Sequence, residues 1–397
     1  MTRVYKNSTE IAQSHGIPIY MNDLVDACLV GRLNLFLQGD TGSGKTQLAR
    51  DAMAYFPQKS LFVLGRNDMD TRELFQQINP EFFDAVRKGQ SIKGLEAKQL
   101  TEAVNHNLTI VDELPNCVPA VRAQLFNLFD GFIEINGKPY PIGSGYNVGI
   151  ATGNIGQQFT ESSNDLGRAL KDRMHIIVDV DHFFPKPSDT LEILAGNTNP
   201  RVEFTQQDRE DGDKFIERYK ALIKRPVPLS KLIVVNYLLH GLDYCNNGES
   251  KRKMGAAWPN KVEKHEKGSD EALVMPASPR AAKSIIRLSQ ALDDVSLARG
   301  AAQEDIDSGA VDSMLQAYKL VSTYSGILDE SAVRNVYDGN HYAAMDAVLR
   351  ATRGEFDRHK ENIATGLYMV RNTKKDAKVM NLFTGRWQFM RDTLEGL

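Results

Sequence analysis

The sequence predicts an α/β fold, with a parallel sheet flanked by helices in the first half of the chain and helices alone in the second half. Apolar runs typical of strands recur in the first half, and the segments between most of them are long enough for helices. After about residue 187 the apolar residues follow helical periodicity instead. With 42% hydrophobic and 25% charged residues, the composition is that of a folded globular protein.

Composition also excludes several classes of protein. The 397 residues suffice for two or three domains, and 48 basic against 51 acidic residues give a net charge of −3, which excludes a strongly basic nucleic-acid coat. Cys28, Cys117 and Cys245 are too widely spaced for a disulfide framework or a zinc site. No run approaches the ~20 apolar residues that a membrane span needs. We therefore expect a cytoplasmic protein without a membrane span.

The expected strands of the sheet occur at five places. They are residues 33–37, 61–64, 108–111, 148–152 and 175–180. A separate pair of apolar runs, at 132–142, is joined by Asn136 and Gly137, and Asn-Gly between such runs is a strong signal for a type I′ hairpin. A β-hairpin therefore interrupts the α/β alternation.

The second half contains four segments with helical periodicity and a helical tail. The four segments are 208–224, 230–244, 279–299 and 312–325. Within the charged loop 246–276, the basic run at 251–253 could form a contact surface, but solvation is the favoured interpretation. The tail 340–397 ends with Trp387, Phe389 and Met390, which we expect in a core.

The strongest functional signal is the segment 39–46, Gly-Asp-Thr-Gly-Ser-Gly-Lys-Thr, which matches G-x-x-x-x-G-K-[ST] between a predicted strand and a predicted helix. Such a loop turns its backbone N–H groups towards phosphates, and the following helix adds its positive end. We expect Lys45 to neutralise the β- and γ-phosphates and Thr46 to ligate Mg²⁺. The predicted nucleotide-binding residues of this segment are Gly39, Asp40, Thr41, Gly42, Ser43, Gly44, Lys45, Thr46 and Gln47.

Polar residues follow two later strands. Asp112 and Glu113 come at the carboxyl end of the strand 108–111, where ligands bind on an open parallel sheet. Asp112 is expected to bind nucleotide and metal, and Glu113 to polarise the attacking water. Asn154 ends the run 148–153 and could hold the water or the γ-phosphate, although Asn is also an ordinary residue at the end of a strand.

Together these motifs resemble those of MoxR-like and dynein-related AAA+ ATPases. The resemblance covers residues 33–181 and 275–287. Residues 39–46 correspond to Walker A, 108–113 to Walker B, 150–154 to sensor 1, 170–174 to the arginine-finger segment and 277–281 to sensor 2. The resemblance implies an AAA+ P-loop core, a helical lid, ATP and Mg²⁺ as ligands, and ATP hydrolysis.

The resemblance also implies that copies of the chain assemble into a ring, which we expect to be hexameric. Arg173 is expected to act as the arginine finger on the neighbouring subunit, with Arg168 as the second candidate, and Arg280 is expected to contact the γ-phosphate. Asn67 is a candidate for a residue that gates Glu113.

Two segments match insertions of this clade, and other segments depart from it. Residues 79–94 take the place of the helix-2 insert, and 132–142 that of the hairpin before sensor 1. In ring-forming relatives these insertions face the pore or a ring surface. Walker B is followed here by Leu-Pro-Asn, and the tail after about residue 326 has no counterpart. Basic residues of the insertions that could touch a partner are Arg87, Lys88, Lys93 and Lys138, for which solvation is an equal alternative.

These observations give an expected organisation and function. We expect an AAA+ nucleotide-binding domain at 1–186, a helical lid at 187–325 and a C-terminal helical extension at 326–397. The expected function is remodelling of a protein client by a MoxR-like chaperone, with a von Willebrand factor A domain protein as a candidate partner. A nucleic-acid-dependent motor is the main alternative and is disfavoured by net charge and by a hairpin tip without aromatic residues. A GTP-using restriction-type subunit and a slow nucleotide-gated scaffold are the others.

Overall fold

The computed structural model describes residues 4–66, 68, 75–93, 98–135, 138–154, 173–196, 211–245, 248–262, 269–372 and 376–396. The chain forms two compact units. The first comprises Met1–Glu10, Tyr20–Met174 and Val178–Lys220, and the second comprises Ile11–Ile19, His175–Ile177 and Ala221–Leu397. The predicted domain boundaries at 186/187 and 325/326 stay predictions.

Eleven strands are present in the described part of the chain. They are β1 (Glu10–Ser14), β2 (Ile17–Tyr20), β3 (Leu35–Gln38), β4 (Ser60–Leu64), β5 (Gln76–Ile78), β6 (Lys98–Leu100), β7 (Leu108–Asp112), β8 (Phe132–Ile135), β9 (Lys138–Pro141), β10 (Val148–Gly153) and β11 (Ile176–Asp179).

Five of these strands form one sheet in the order β11-β3-β10-β7-β4. The pairs β3–β10, β10–β7 and β7–β4 are parallel, so the predicted α/β fold with a parallel sheet is confirmed. Every residue of β7 and β10 is buried, as expected for parallel strands covered on both faces. In register, Ile150 of β10 faces Leu35 of β3 and Ile110 of β7. This register brings the carboxyl ends of β3, β7 and β10 to the same edge of the sheet.

The remaining strands form three antiparallel pairs. The hairpin β8–β9 confirms the predicted one, with Ile135 opposite Lys138, while Asn136 and Gly137 lie outside the described residues. The hairpin β1–β2 was not predicted. Its turn residues His15 and Gly16 both have positive φ, 50° and 75°, as a type I′ turn requires. The third pair, β5–β6, was not predicted either.

Four of the described α-helices coincide with the segments predicted to be helical at 208–224, 230–244, 279–299 and 312–325, and two short helices lie within 246–276, which was predicted to be a loop. In chain order the described α-helices are α1 (Met21–Gly31), α2 (Lys45–Met53), α3 (Pro80–Arg87), α4 (Pro119–Phe129), α5 (Pro187–Ala195), α6 (Gly212–Leu222), α7 (Leu229–Asn236), α8 (Lys251–Met254), α9 (Asp270–Leu273), α10 (Pro279–Ala298), α11 (Gln303–Ser308), α12 (Ala310–Ser322), α13 (Glu330–Tyr337), α14 (His341–Arg371), α15 (Ala377–Met380) and α16 (Phe389–Gly396). None of the helices in the described ranges is long and apolar enough to cross a membrane.

The second unit has its own core, which includes the end of the chain. Trp387 and Met390 are buried as predicted, and the Trp387 ring packs against Tyr237 and Phe356. The prediction of a solvated basic run is wrong for Lys251, which is buried and donates to the Val274 carbonyl oxygen at 2.7 Å. Burial lowers the pKa of Lys251 to about 8. Cys28, Cys117 and Cys245 are buried, and no disulfide joins any of them within the described residues.

Candidate functional site

The P-loop connects β3 to α2 in the first unit, and its glycines take conformations that favour glycine. Gly42 and Gly44 have φ of 87° and 84°, in the left-handed region. At Gly44 a Cβ would also lie 2.9 Å from the Tyr5 ring, so the loop has no room for a side chain there. The first helical residue is Lys45, which places the positive end of α2 at the loop. The predicted strand–loop–helix arrangement is therefore present.

Lys45 is buried within its own loop. Its Nζ donates to the carbonyl oxygens of Gly39 and Asp40 at 3.0 and 2.7 Å and to Ser43 Oγ at 3.3 Å. Burial lowers the pKa of Lys45, and nearby carboxylates oppose that shift, Glu113 most strongly. The loop thus holds a buried ammonium group beside a set of acids.

Asp112 ends β7 and contacts two hydroxyl groups. Thr46 Oγ1 at the start of α2 donates to Asp112 Oδ1 at 2.8 Å, and Thr152 Oγ1 of β10 donates to the same oxygen at 2.6 Å. Both predicted magnesium residues, Thr46 and Asp112, are therefore in direct contact. A hydroxyl and a carboxylate are oxygen ligands of the kind that Mg²⁺ prefers.

Glu113 lies immediately beyond β7 with an unusual backbone. Its φ and ψ are 57° and 43°, in the left-handed region that residues other than glycine seldom adopt. Its N–H donates to Thr152 Oγ1 at 3.1 Å. Burial raises the pKa of Glu113, the charge of Asp112 raises it further, and Lys45 opposes both. A carboxylate with a raised pKa is a better proton acceptor than an ordinary one.

Gly65 follows β4 and packs against the backbone of Asp112 and Glu113. Its N–H donates to the Asp112 carbonyl oxygen at 2.7 Å, and a Cβ at Gly65 would lie 2.5 Å from the Glu113 carbonyl oxygen. Only glycine permits this approach. Asn67, the predicted gating residue, lies outside the described residues.

Asn154 follows β10 and reaches the P-loop. Its Nδ2 donates to Thr41 Oγ1 at 3.4 Å, while its Oδ1 is buried and has no hydrogen-bond partner among the described residues. A buried polar atom without a partner is costly, so a ligand that donates to it, such as a water molecule held against a phosphate, would fit here. The role of Asn154 in holding the water or the γ-phosphate stays a prediction.

The remaining predicted nucleotide-binding residues of the loop bond mainly with one another. Asp40 Oδ1 accepts from the Thr41 N–H at 2.7 Å, and Ser43 Oγ donates to the Asp40 carbonyl oxygen at 2.8 Å. Gln47 Nε2 donates to Asp51 Oδ1 at 2.8 Å, one turn further along α2. These bonds define the shape of the loop and of the first turns of α2.

Arg173, the predicted arginine finger, forms an ion pair within its own chain. Its Nε donates to Asp130 Oδ2 at 2.9 Å, and its guanidinium lies 4.9 Å from the centre of the Phe126 ring. Asn34 Nδ2 donates to the Arg173 carbonyl oxygen at 3.0 Å and fixes its backbone. Arg168, the second candidate, lies outside the described residues.

Arg280 belongs to the second unit. It is an exposed residue in the first turn of α10, and Ser278 caps the start of this helix, its Oγ accepting from the Ala281 N–H at 3.1 Å. Its predicted contact with a γ-phosphate stays a prediction.

Sequence reasoning missed three residues of this site. Thr152 contacts both Asp112 and Glu113, Asp181 accepts a hydrogen bond from the P-loop, and the ring of Tyr5 packs against Gly44. Thr152 lies two residues before Asn154, so the strand itself was recognised. Nothing in the sequence pairs Asp181 or Tyr5 with a loop more than 30 residues away in the chain.

Two solved structures are similar to this chain to different degrees. A protein from Cytophaga hutchinsonii, provisionally named an ATPase, is 16% identical, with a TM-score of 0.56, and the match covers 83% of this chain and 88% of that chain. A full-length MCM homologue from Methanopyrus kandleri is 13% identical, with a TM-score of 0.42, covering 75% of this chain and 55% of that one. No curated protein matches the sequence at a significant level.

The sequence of the core matches a family directly. Residues 34–174, which contain β3, the P-loop, β7 and β10, match the family described as the AAA domain of the dynein-related subfamily. The match includes Lys45, Asp112, Glu113 and Asn154, the residues that converge in the first unit. The chain therefore contains an AAA domain of the dynein-related type.

Proposed function

We propose that the chain is a Mg²⁺-dependent ATP hydrolase that works as a ring and remodels a protein client, as a MoxR-like chaperone does. The observation that carries the proposal is the convergence of four groups at one edge of the sheet. Lys45 lies in the P-loop, Asp112 bonds Thr46, Glu113 follows Asp112, and Asn154 bonds Thr41. This is the set of groups that phosphoryl transfer to water requires.

The residues take distinct roles in hydrolysis. The P-loop amides and Lys45 bind the phosphates, and Thr46 and Asp112 would hold Mg²⁺, whose charge offsets that of the phosphates. Glu113 orients a water molecule and accepts its proton as the water oxygen bonds to the γ-phosphorus. The bond from that phosphorus to the bridging oxygen breaks, so ADP and phosphate leave. Asn154 orients the same water molecule or a γ-phosphate oxygen through its side-chain amide.

Two matched variants test the hydrolase. Lys45→Ala removes the buried ammonium and should abolish binding of a fluorescent ATP analogue. Glu113→Gln keeps the shape of the site and should bind ATP while its turnover falls by about 10²-fold or more, as loss of a general base does. Unchanged ATP affinity in the first variant would refute the P-loop assignment, and turnover near wild type in the second would remove Glu113 from its role. Repeating the assay with GTP establishes the base preference.

The ring and the client need separate tests. Light scattering of the Glu113→Gln variant with ATP should give an oligomer, and six subunits are expected. The same variant should keep a protein client through an affinity purification, because it stalls before hydrolysis. A monomer at micromolar concentration that still hydrolyses ATP would refute the ring. ATPase stimulation by DNA, with a steep dependence on salt, would refute the protein-client proposal in favour of a nucleic-acid motor.

A further inference from the structure

Asp181 joins the end of the sheet to the beginning of the P-loop. It lies two residues after β11, and its Oδ2 accepts a hydrogen bond from the Asp40 N–H at 2.5 Å. Its own N–H donates to Asp179 Oδ1 at 3.0 Å, and the preceding Val180 N–H donates to the Gln38 carbonyl oxygen at 2.8 Å. The backbone that carries Asp181 is thus held by the last residue of β3, one residue before the loop starts.

Gly39 makes this contact sterically feasible. A Cβ at Gly39 would lie 3.0 Å from Asp181 Oδ1, and the φ of Gly39 is 152°. A side chain at this position would compete with the carboxylate for space. The first glycine of the motif therefore gives Asp181 access to the next peptide.

The backbone of Asp40, which Asp181 holds, makes several hydrogen bonds within the P-loop. The Asp40 carbonyl oxygen accepts from Lys45 Nζ at 2.7 Å and from Ser43 Oγ at 2.8 Å. The Asp40 N–H, on the other side of the residue, donates to Asp181. Displacing Asp40 would therefore disturb both Lys45 and the turn of the loop that leads into α2.

The Asp181 carboxylate also places a negative charge near Lys45. Burial lowers the pKa of Lys45, and Asp181 is among the acids whose charge raises it again, after Glu113 and before Asp40 and Asp112. Asp181 is itself exposed. A carboxylate that acts on Lys45 also acts, with opposite sign, on any polyphosphate that Lys45 binds.

We propose that Asp181 is a positioning residue for nucleotide binding, whose acceptor oxygen holds the Asp40 peptide and whose negative charge weakens the affinity for polyphosphate. This inference rests on the proposed nucleotide binding. Two substitutions separate the hydrogen bond from the charge. Asp181→Asn keeps an acceptor oxygen without the charge, and Asp181→Ala keeps neither. The sequence motif predicts neither effect, because Asp181 lies 141 residues from Asp40 in the chain.

Kinetics of three variants test the two effects. Asp181→Ala should raise KM for ATP and Kd for ADP by about tenfold, as loss of a charged hydrogen-bond partner does, while kcat changes by less than about twofold. Asp181→Asn should bind ADP at least as tightly as wild type, with the gain largest at low salt. Asp213→Asn is the control, because it removes an exposed carboxylate that pairs with Lys59 instead. An Asn variant as weak as the Ala variant would overturn the anchoring role, and an unchanged Ala variant would overturn the proposal.

Hydrogen exchange in the absence of nucleotide tests the anchor, which is the hydrogen bond from the Asp40 N–H to the Asp181 carboxylate. Peptides covering residues 35–46 should exchange faster in Asp181→Ala than in wild type, and at the wild-type rate in Asp181→Asn and Asp213→Asn. Equal rates in all four proteins would refute the anchor. A wild-type chain that binds no nucleotide would overturn the proposed function and the affinity effect with it, whereas faster exchange in the Ala variant would still establish the anchor. The two failures are thus distinguishable.

Discussion

Thr152 Oγ1 donates to Asp112 Oδ1 at 2.6 Å, which ties β10 to the acid that ends β7. The same hydroxyl accepts from the Glu113 N–H at 3.1 Å, and Thr152 is fully buried. One side chain thus fixes the carboxylate of one acid and the backbone of the next. Because Glu113 has a left-handed backbone, its position depends on such contacts.

Replacing Thr152 by Val keeps the volume and removes both hydrogen bonds. We expect hydrolysis to fall by about tenfold or more, because each lost bond weakens positioning by about 1 kcal/mol and leaves a buried group without its partner. Binding of ADP should change by less than about twofold, since the P-loop contacts are untouched. Turnover and ADP affinity of the purified variant are the measurements.

Thr152→Ser is the matched control, because it keeps the hydroxyl and loses only a methyl group. It should recover most of the turnover. A serine variant as slow as the valine variant would show that the methyl packing matters and that the hydroxyl does not position the acids.

Gly65→Ala tests whether the position of the Glu113 backbone matters for turnover. The added Cβ would lie 2.5 Å from the Glu113 carbonyl oxygen, so this part of the backbone has to move. We expect turnover to collapse while ADP binding persists, measured on the same preparation. Gly354→Ala is the control, because its Cβ would have Arg358 Nη2 as the nearest atom, at 4.0 Å, and helical alanine is favoured over glycine. Wild-type turnover in Gly65→Ala would show that Glu113 tolerates displacement.

The raised pKa of Glu113 predicts a pH dependence of stability. Burial favours the neutral carboxyl, so the contribution of Glu113 to the free energy of unfolding is greatest below the ordinary Glu pKa of about 4.3 and is lost as pH rises through the higher pKa of the folded state. Glu113→Gln never ionises and should therefore be more stable than wild type at pH 7 to 8. Thermal melts across pH measure the difference, which should shrink towards acid pH. A constant difference would assign it to packing instead of charge.

The same shift predicts an acid limb of activity. Glu113 accepts a proton only when it is ionised, so kcat/KM should fall on acidification at a higher pH than an ordinary Glu would give. A limb at the ordinary value would show that the site does not perturb this carboxyl.

Local signals in the sequence were sufficient to predict the sheet and the loop. Strands such as β7 and β10 are buried apolar runs that end in polar residues, and the P-loop is a short continuous motif. The hairpin β8–β9 was predicted because Asn-Gly favours its turn. The hairpin β1–β2 was missed because its turn is His15-Gly16, whose residue types give a weaker signal for the same backbone.

Contacts between distant segments could not be predicted in the same way. The bonds of Thr152 to Asp112 and of Asp181 to Asp40 depend on strand order and register, which a single sequence does not reveal. The burial of Lys251 has the same origin, because its acceptors lie on the later segment that includes Val274. Charged residues that look solvated in a sequence can thus belong to a core.

The ion pair of Arg173 with Asp130 makes the proposed arginine finger testable against a simpler role. A purely structural pair predicts that Arg173→Ala and Asp130→Asn have similar effects, since either variant breaks the same contact. A finger predicts that Arg173→Ala lowers turnover by about 10³-fold or more with nucleotide binding retained, whereas Asp130→Asn keeps the guanidinium and most of the turnover. Turnover, ADP affinity and melting temperature of both variants separate the two roles.

Mixing variants tests whether active sites are shared between subunits. Lys45→Ala subunits lack a working P-loop, and Arg173→Ala subunits lack the finger, so each variant alone has no complete site. A mixed ring contains some interfaces at which an intact P-loop faces an intact Arg173, and its activity should exceed that of both parents. A mixture without activity, despite proof that the subunits assemble together, would remove Arg173 from the finger role and transfer it to Arg168. Because the rescue needs both residues in one interface, it cannot arise from either variant refolding on its own.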